Sequence, residues 1–165
     1  MRMNGKLANT FVRILLIALV VSAIMIAAWA QATPNFSGLW KQDNDRCQPK
    51  RGGDVTLRIE QEGPNLTVES SISHGSNSRH AVQKYTTDGE VSVSTGADGD
   101  EFHTSIVWDG QNLVFSIEEH EEGRILRSTE TWSLIENGAT LQRIREPIDG
   151  EKQTLFYRHE PAVLK

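Results

Sequence analysis

The chain has 165 residues, with 17 Lys+Arg against 22 Asp+Glu, a net charge of −5 and 38% hydrophobic residues. The first thirty residues hold all three Met, three of the basic residues (Arg2, Lys6, Arg13) and no acid, so residues 31–165 carry 14 basic against 22 acidic residues, net −8. That remainder is enough for one modest domain but not two. Its acidity disfavours nucleic acid and anionic membrane surfaces as partners, and its regularly placed apolar residues disfavour disorder.

In chain order the first element is an export signal. Basic residues precede the apolar run Ile14–Val21, which resumes after Ser22 and ends in Ala28-Trp29-Ala30. A basic start, an apolar middle and an A-x-A end predict a secretory signal cut after Ala30. Ala30-Gln31-Ala32 offers a second register. The competing reading is an uncut anchor: Ile14–Ala30 is 17 residues, roughly 26 Å of helix at about 1.5 Å per residue against a hydrocarbon core of about 30 Å. The expected location is therefore periplasmic or extracellular, with membrane contact only through an uncut N-terminal segment. Cys47 is the single cysteine. That count excludes an internal disulfide and any zinc site needing two cysteines from this chain.

From Pro34 onward the pattern has period two and is broken by turn signals. Strands are expected at Phe36–Lys41, Val55–Ile59, Leu66–Val68, Arg79–Tyr85, Val91–Val93, Phe102–Trp108, Leu113–Ile117, Ile125–Leu134, Leu141–Arg145 and Gln153–Arg158. Asp109-Gly110, Asn137-Gly138 and Asp149-Gly150 are hairpin signals, because tight primed turns need positive φ at both central residues. The reading is all-β: an antiparallel up-and-down meander of eight to ten strands closed into a barrel, which removes unpaired edges. A two-sheet sandwich is the alternative, although its crossovers call for longer connections. Three stretches read as long connections: Lys41–Asp54, Ser70–Ser78 and Thr95–Asp100. In a meander they follow the first, third and fifth strands and share one end, which predicts a mouth there.

Asn35-Phe36-Ser37-Gly38-Leu39-Trp40-Lys41 resembles the F-x-G-x-W-K start of intracellular fatty-acid-binding proteins and the G-x-W signature of lipocalins. With Asp109–Val114 and Lys152–Tyr157, residues 34–160 also resemble small secreted bacterial lipocalin-like proteins. The resemblance implies a calycin barrel. In it Gly38 permits close approach of a neighbouring segment, Trp40 plugs the floor, and Arg158 stacks on Trp40 as a cation–π pair. The departures are specific. The lipocalin T-D-Y motif and paired disulfides are absent, and 41–54, with Pro49 and Gly52-Gly53, does not suit the helical lid of fatty-acid-binding proteins. The R-x-Y pair that holds a fatty-acid carboxylate is not reproduced: the last strand reads Tyr157-Arg158-His159, and neighbours on a strand face opposite sides.

Candidate ligand-binding residues are Trp40, Phe102, Trp108, Phe115, Arg143 and Tyr157, with Trp132 and Phe156 as further aromatic wall. Two interiors fit these residues, a ligand-sized cavity and a core filled by side chains. Arg143 and Arg145 share a strand face; turned inward they could hold a carboxylate or phosphate, turned outward they meet water. Glu118–Glu122 with His120 is rich in oxygen ligands, yet it reads as a wet hairpin turn rather than a metal site. No G-x-S-x-G, H-E-x-x-H or phosphate-cradling glycine loop occurs, so neither catalysis nor a cofactor is expected. The function expected is an exported, monomeric barrel that binds a small hydrophobic or amphipathic molecule. The alternatives are a packed-interior barrel serving as a protein-interaction or envelope accessory module, and an enzyme working inside the cavity.

Overall fold

A computed structural model describes residues 33–96 and 99–161; the expected export signal, 1–30, lies outside them. Ten strands follow in chain order: β1 Gly38–Gln42, β2 Asp54–Glu62, β3 Asn65–His74, β4 Asn77–Thr86, β5 Val91–Thr95, β6 Glu101–Asp109, β7 Asn112–Glu121, β8 Arg124–Ile135, β9 Thr140–Pro147 and β10 Gln153–Glu160. Each coincides with a segment of alternating hydrophobicity. A single 3₁₀ turn, Glu136–Gly138, stands between β8 and β9 among the described residues.

All ten strands lie in one antiparallel sheet, ordered β4-β3-β2-β1-β10-β9-β8-β7-β6-β5. The last strand does pair with the first, Trp40 opposite His159 and Lys41 opposite Arg158. This is a meander curled into a nearly closed barrel, not a sandwich. The expectation of complete closure is corrected at one seam: β4 and β5 are the two ends of the sheet, with no ladder between them. Length is the reason. β4 has ten residues and β5 only five, and the link between them is tied elsewhere, Thr87 N–H donating to the Pro64 carbonyl and Gly89 N–H to the Ile106 carbonyl, both at 2.9 Å. Side chains cross inside the seam instead. Tyr85 meets Phe115 edge-on at 6.1 Å, and Trp108 Nε1 donates to Thr87 Oγ1 at 3.2 Å.

Two further expectations change. Residues 70–78 are not a long connection, because β3 and β4 stay paired from Ser70–Ala81 through His74–Asn77, leaving Gly75-Ser76 as the turn. Toward its tip the hairpin extends beyond the core, so most of its residues are polar and exposed, and that polarity imitates a loop. Likewise Glu118–Glu121 belong to β7, with the turn at Glu122-Gly123. The mouth end therefore carries one long connection, 43–53, with shorter ones of equal length from β5 to β6 and from β9 to β10, rather than the three expected.

The inward faces of eight of the ten strands supply the buried core, with Trp40, Leu57 and Ile59, Leu66 and Val68, Ile106, Leu113 and Phe115, Trp132, Leu141 and Tyr157, whereas β4 and β5 bury no residue fully. The floor, opposite the mouth, is plugged by the segment preceding β1. Phe36 is fully buried, its ring 6.1 Å from Trp108 and 6.3 Å from Trp132. Its carbonyl accepts from Trp40 Nε1 and its N–H donates to Gln61 Oε1, both at 2.9 Å. Gly38 has a specific reason to be glycine. Its φ is +151°, and a Cβ there would lie 2.5 Å from His159 Nε2, whose ring packs edge-on against Trp40 at 4.8 Å.

If Phe36 is the plug, Phe36→Ala leaves a void that flanking strands cannot fill. The expected loss is about 3–5 kcal/mol, read as a shifted urea midpoint at unchanged slope.

Candidate functional site

Alternation along β8 turns Ser128, Glu130 and Trp132 inward, and all three are buried. On the adjacent β9 the inward set is Leu141, Arg143 and Arg145, with Trp132 opposite Arg143 and Glu130 opposite Arg145. β10 adds Leu155 beside Arg143 and Tyr157 beside Leu141. A carboxylate, two guanidiniums and two large aromatic side chains are thereby set on three neighbouring strands.

Arg143 is the hub. Its Nε donates to Glu130 Oε1 at 2.5 Å, its Nη1 donates to the Tyr157 hydroxyl at 3.4 Å, and its guanidinium lies 4.7 Å from the Trp132 ring centre and 5.6 Å from that of Tyr157. Trp132 Nε1 also donates to Glu130 Oε1, at 2.5 Å. The Glu130 side chain is 6% exposed and that of Arg143 20%. Burial works against both charges, but each outweighs it for the other. The Glu130 carboxyl is held below the usual carboxylate range by Arg143, the Trp132 N–H and Arg145, and the Arg143 guanidinium is held above its usual value chiefly by Glu130. Burial pushes the Tyr85 phenol up to about 12 and raises that of Tyr157 as well, so both hydroxyls remain protonated donors at neutral pH.

Above this cluster lies a cavity of about 390 Å³, within the size range of small-molecule sites. Val55, Leu57, Val68, Ile72 and Leu155 make its apolar wall; Ser70, Gln83 and Tyr85 give it polar atoms on one side. Arg143, Trp132 and Tyr157 face it, and Arg51 and Gly52 reach it from the connection between β1 and β2. Arg51 donates to Gln153 Oε1 across the mouth.

Of the residues expected to bind ligand, Arg143 and Tyr157 come together on the cavity, Arg143 turned inward. Phe115 is buried behind the wall, 4.6 Å from Trp132. Trp40 and Trp108 belong to the floor and do not face the cavity, while Phe102 lies near the mouth on the inward face of β6, opposite Ser94 and Glu119. Phe156 points outward, under the Arg46 guanidinium at 4.5 Å. The expected contact of Arg158 with Trp40 is corrected: Arg158 lies opposite Lys41 on the outer face and pairs with Asp43 at 3.5 Å, because it has the parity opposite to Tyr157. His159 takes the place on Trp40.

Glu130 was not singled out from sequence, nor were Ser70, Gln83 and Tyr85. A signal for Glu130 existed, since it shares parity with Trp132 in a strand opposite the one bearing Arg143 and Arg145. On the outer face His103 and His120 stack at 4.4 Å beside Glu101 and Glu118, yet no group of three His, Cys, Asp or Glu among the described residues is arranged to hold a metal ion. Cys47 is buried in the β1–β2 connection and its thiol donates to the Asp43 carbonyl at 3.2 Å.

Removing one member of a buried ion pair strands the other. Glu130→Ala or Arg143→Leu alone should each cost about 3–5 kcal/mol, and an apolar double replacement clearly less than their sum, by urea denaturation. Because the folded pKa of Glu130 is lowered, its contribution is complete above its unfolded value of about 4.3 and is lost as pH falls through the folded one. Glu130→Gln should flatten that acid limb of the stability curve.

No protein-family model and no curated protein matches the sequence. Solved structures do match in shape. One is described as REP1-NXSQ fatty acid transporter (TM-score 0.58, 13% identity, 76% of this chain and 96% of that one). Another is apo lipid binding protein 8 of Caenorhabditis elegans (TM-score 0.58, 12% identity, 76% and 95%). A third is human cRBP IV (TM-score 0.56, 17% identity, 78% and 100%). The chain has the fold of the fatty-acid-binding and lipocalin-like calycin barrels.

Proposed function

We propose that the protein is an exported carrier that holds one small hydrophobic or amphipathic molecule inside the barrel, admitted at the end where the connection 43–53 lies. The observation that carries this reading is the cavity of about 390 Å³, apolar along β2 and β3 and polar where Arg143 and Tyr157 face it. Such a cavity gives a buried chain and an oriented head group, the two contributions from which small-molecule sites draw affinity and specificity. A packed-interior interaction module would need no such space. Binding rather than catalysis fits the site because its acid and its arginine neutralise each other, leaving no free base beside a nucleophile. The structural neighbours described as a fatty acid transporter and a lipid binding protein support the same class of ligand. Export rests on the basic start, the apolar run and the Ala28-Trp29-Ala30 end of the sequence.

Filling the cavity should abolish uptake and spare the fold. Ser70 is inward, half-buried and small. Ser70→Trp is expected to weaken binding of a C10–C16 lipid panel by about tenfold or more with an unchanged far-ultraviolet spectrum. Wild-type protein that takes up no member of the panel, as read by native mass spectrometry and tryptophan fluorescence, would refute the carrier reading.

A further inference from the structure

We propose that the cavity selects an uncharged amphiphile, such as a long-chain alcohol or amide, over the ionised carboxylate of the same chain length, because Glu130 already occupies the arginine that would receive the acid. This rests on the carrier reading above and names the class of its ligand.

The geometry is specific. Among the residues facing the cavity, Arg51 and Arg143 are the cations. Arg51 is exposed at the mouth, where its charge is screened by water and salt. Arg143 lies at the polar end, and its Nε is committed to Glu130 at 2.5 Å. An entering carboxylate on Arg143 would bring a second negative charge near Glu130, and like charges at such short range repel. An uncharged head group meets no such opposition. The guanidinium has five N–H donors, of which Glu130 and Tyr157 engage two. The hydroxyls of Tyr85 and Tyr157 are protonated, and Ser70 and Gln83 stand in the wall. A hydroxyl or carbonyl oxygen can accept from these donors, and a hydroxyl or amide can donate back to Gln83 Oε1. Arg145 is the interior group that pulls the other way. It lies opposite Glu130 across β8 and β9 and its Nε is buried without a hydrogen-bond partner; like Glu130 it is not among the residues facing the cavity, and it does not touch the Arg143 guanidinium that an entering head group would meet.

The test compares decanol, decanamide and decanoate on the intact protein, read by calorimetry and tryptophan fluorescence. At about pH 8 decanol and decanamide should bind about tenfold or more tighter than decanoate. In the wild type, lowering the pH from about 8 to about 5 should bring decanoate toward decanol as its own carboxyl gains a proton, while Glu130, with its lowered value, stays ionised. Glu130→Gln keeps the shape and an oxygen acceptor for Arg143 and Trp132 but removes the opposing charge. Decanoate affinity should then rise about tenfold and decanol change by less than about threefold. Tighter binding of decanoate than decanol by the wild type overturns the inference and leaves the carrier reading standing; loss of that preference in Arg145→Gln would assign the acid to Arg145. A Glu130→Gln protein that folds but gains no affinity for decanoate also overturns it. If that variant does not fold, the wild-type pH series decides. Failure of all three compounds to bind overturns the carrier reading and the inference together.

Discussion

An acid and a base facing each other inside a barrel are the constraint on which the rest of this molecule depends. Glu130 and Arg143 stand on neighbouring strands within a wall of aliphatic and aromatic side chains, and neither charge is tolerable there without the other. Their company follows from that. Trp132 gives its N–H to the carboxylate and its face to the guanidinium, and Tyr157 adds a hydroxyl. The aromatic residues on β8 and β10 are thus apolar wall and hydrogen-bonding partner at once. This cluster fixes where the cavity becomes polar.

The fold makes that placement possible by joining its first strand to its last. With β1 hydrogen-bonded to β10, the strands carrying the pair lie inside the sheet, β9 five and β8 six ladders from the β4 end, and each is paired on both sides. The unpaired seam falls between β4 and β5, where Tyr85 and Thr87 bridge inward to Phe115 and Trp108. Below, Phe36 and Trp40 close the floor, both buried, with Trp40 Nε1 donating to the Phe36 carbonyl.

The strands and their order were legible because period-two alternation and Asp-Gly or Asn-Gly turns act locally, within ten residues or so. So was the placement of Phe36-Ser37-Gly38-Leu39-Trp40 at the barrel's start. The hairpin across 70–78 was not, because its strands run past the core into water and a lone Ile72 among polar residues gives no alternation to read. The site was half legible. Tyr157 and Arg143 were among the candidates, with the facing of Arg143 left open, whereas Glu130 was passed over because an acid in a strand is so often on the wet side. Arg158 was misassigned by one residue of parity, which in a strand reverses the face. Pairing between strands is a tertiary property, and the Glu130–Arg143 contact appears only once β8 and β9 are in register.

Inside the barrel Glu130 is ionised against Arg143, with Arg145 as a second cation beside it. The most direct measurement is a ¹³C NMR titration of the Glu130 side-chain carboxyl in the intact protein, assigned by its loss in Glu130→Gln. The account predicts a midpoint below the ordinary glutamate value of about 4.3. A midpoint raised above that value, as for a lone carboxyl in apolar surroundings, would contradict it.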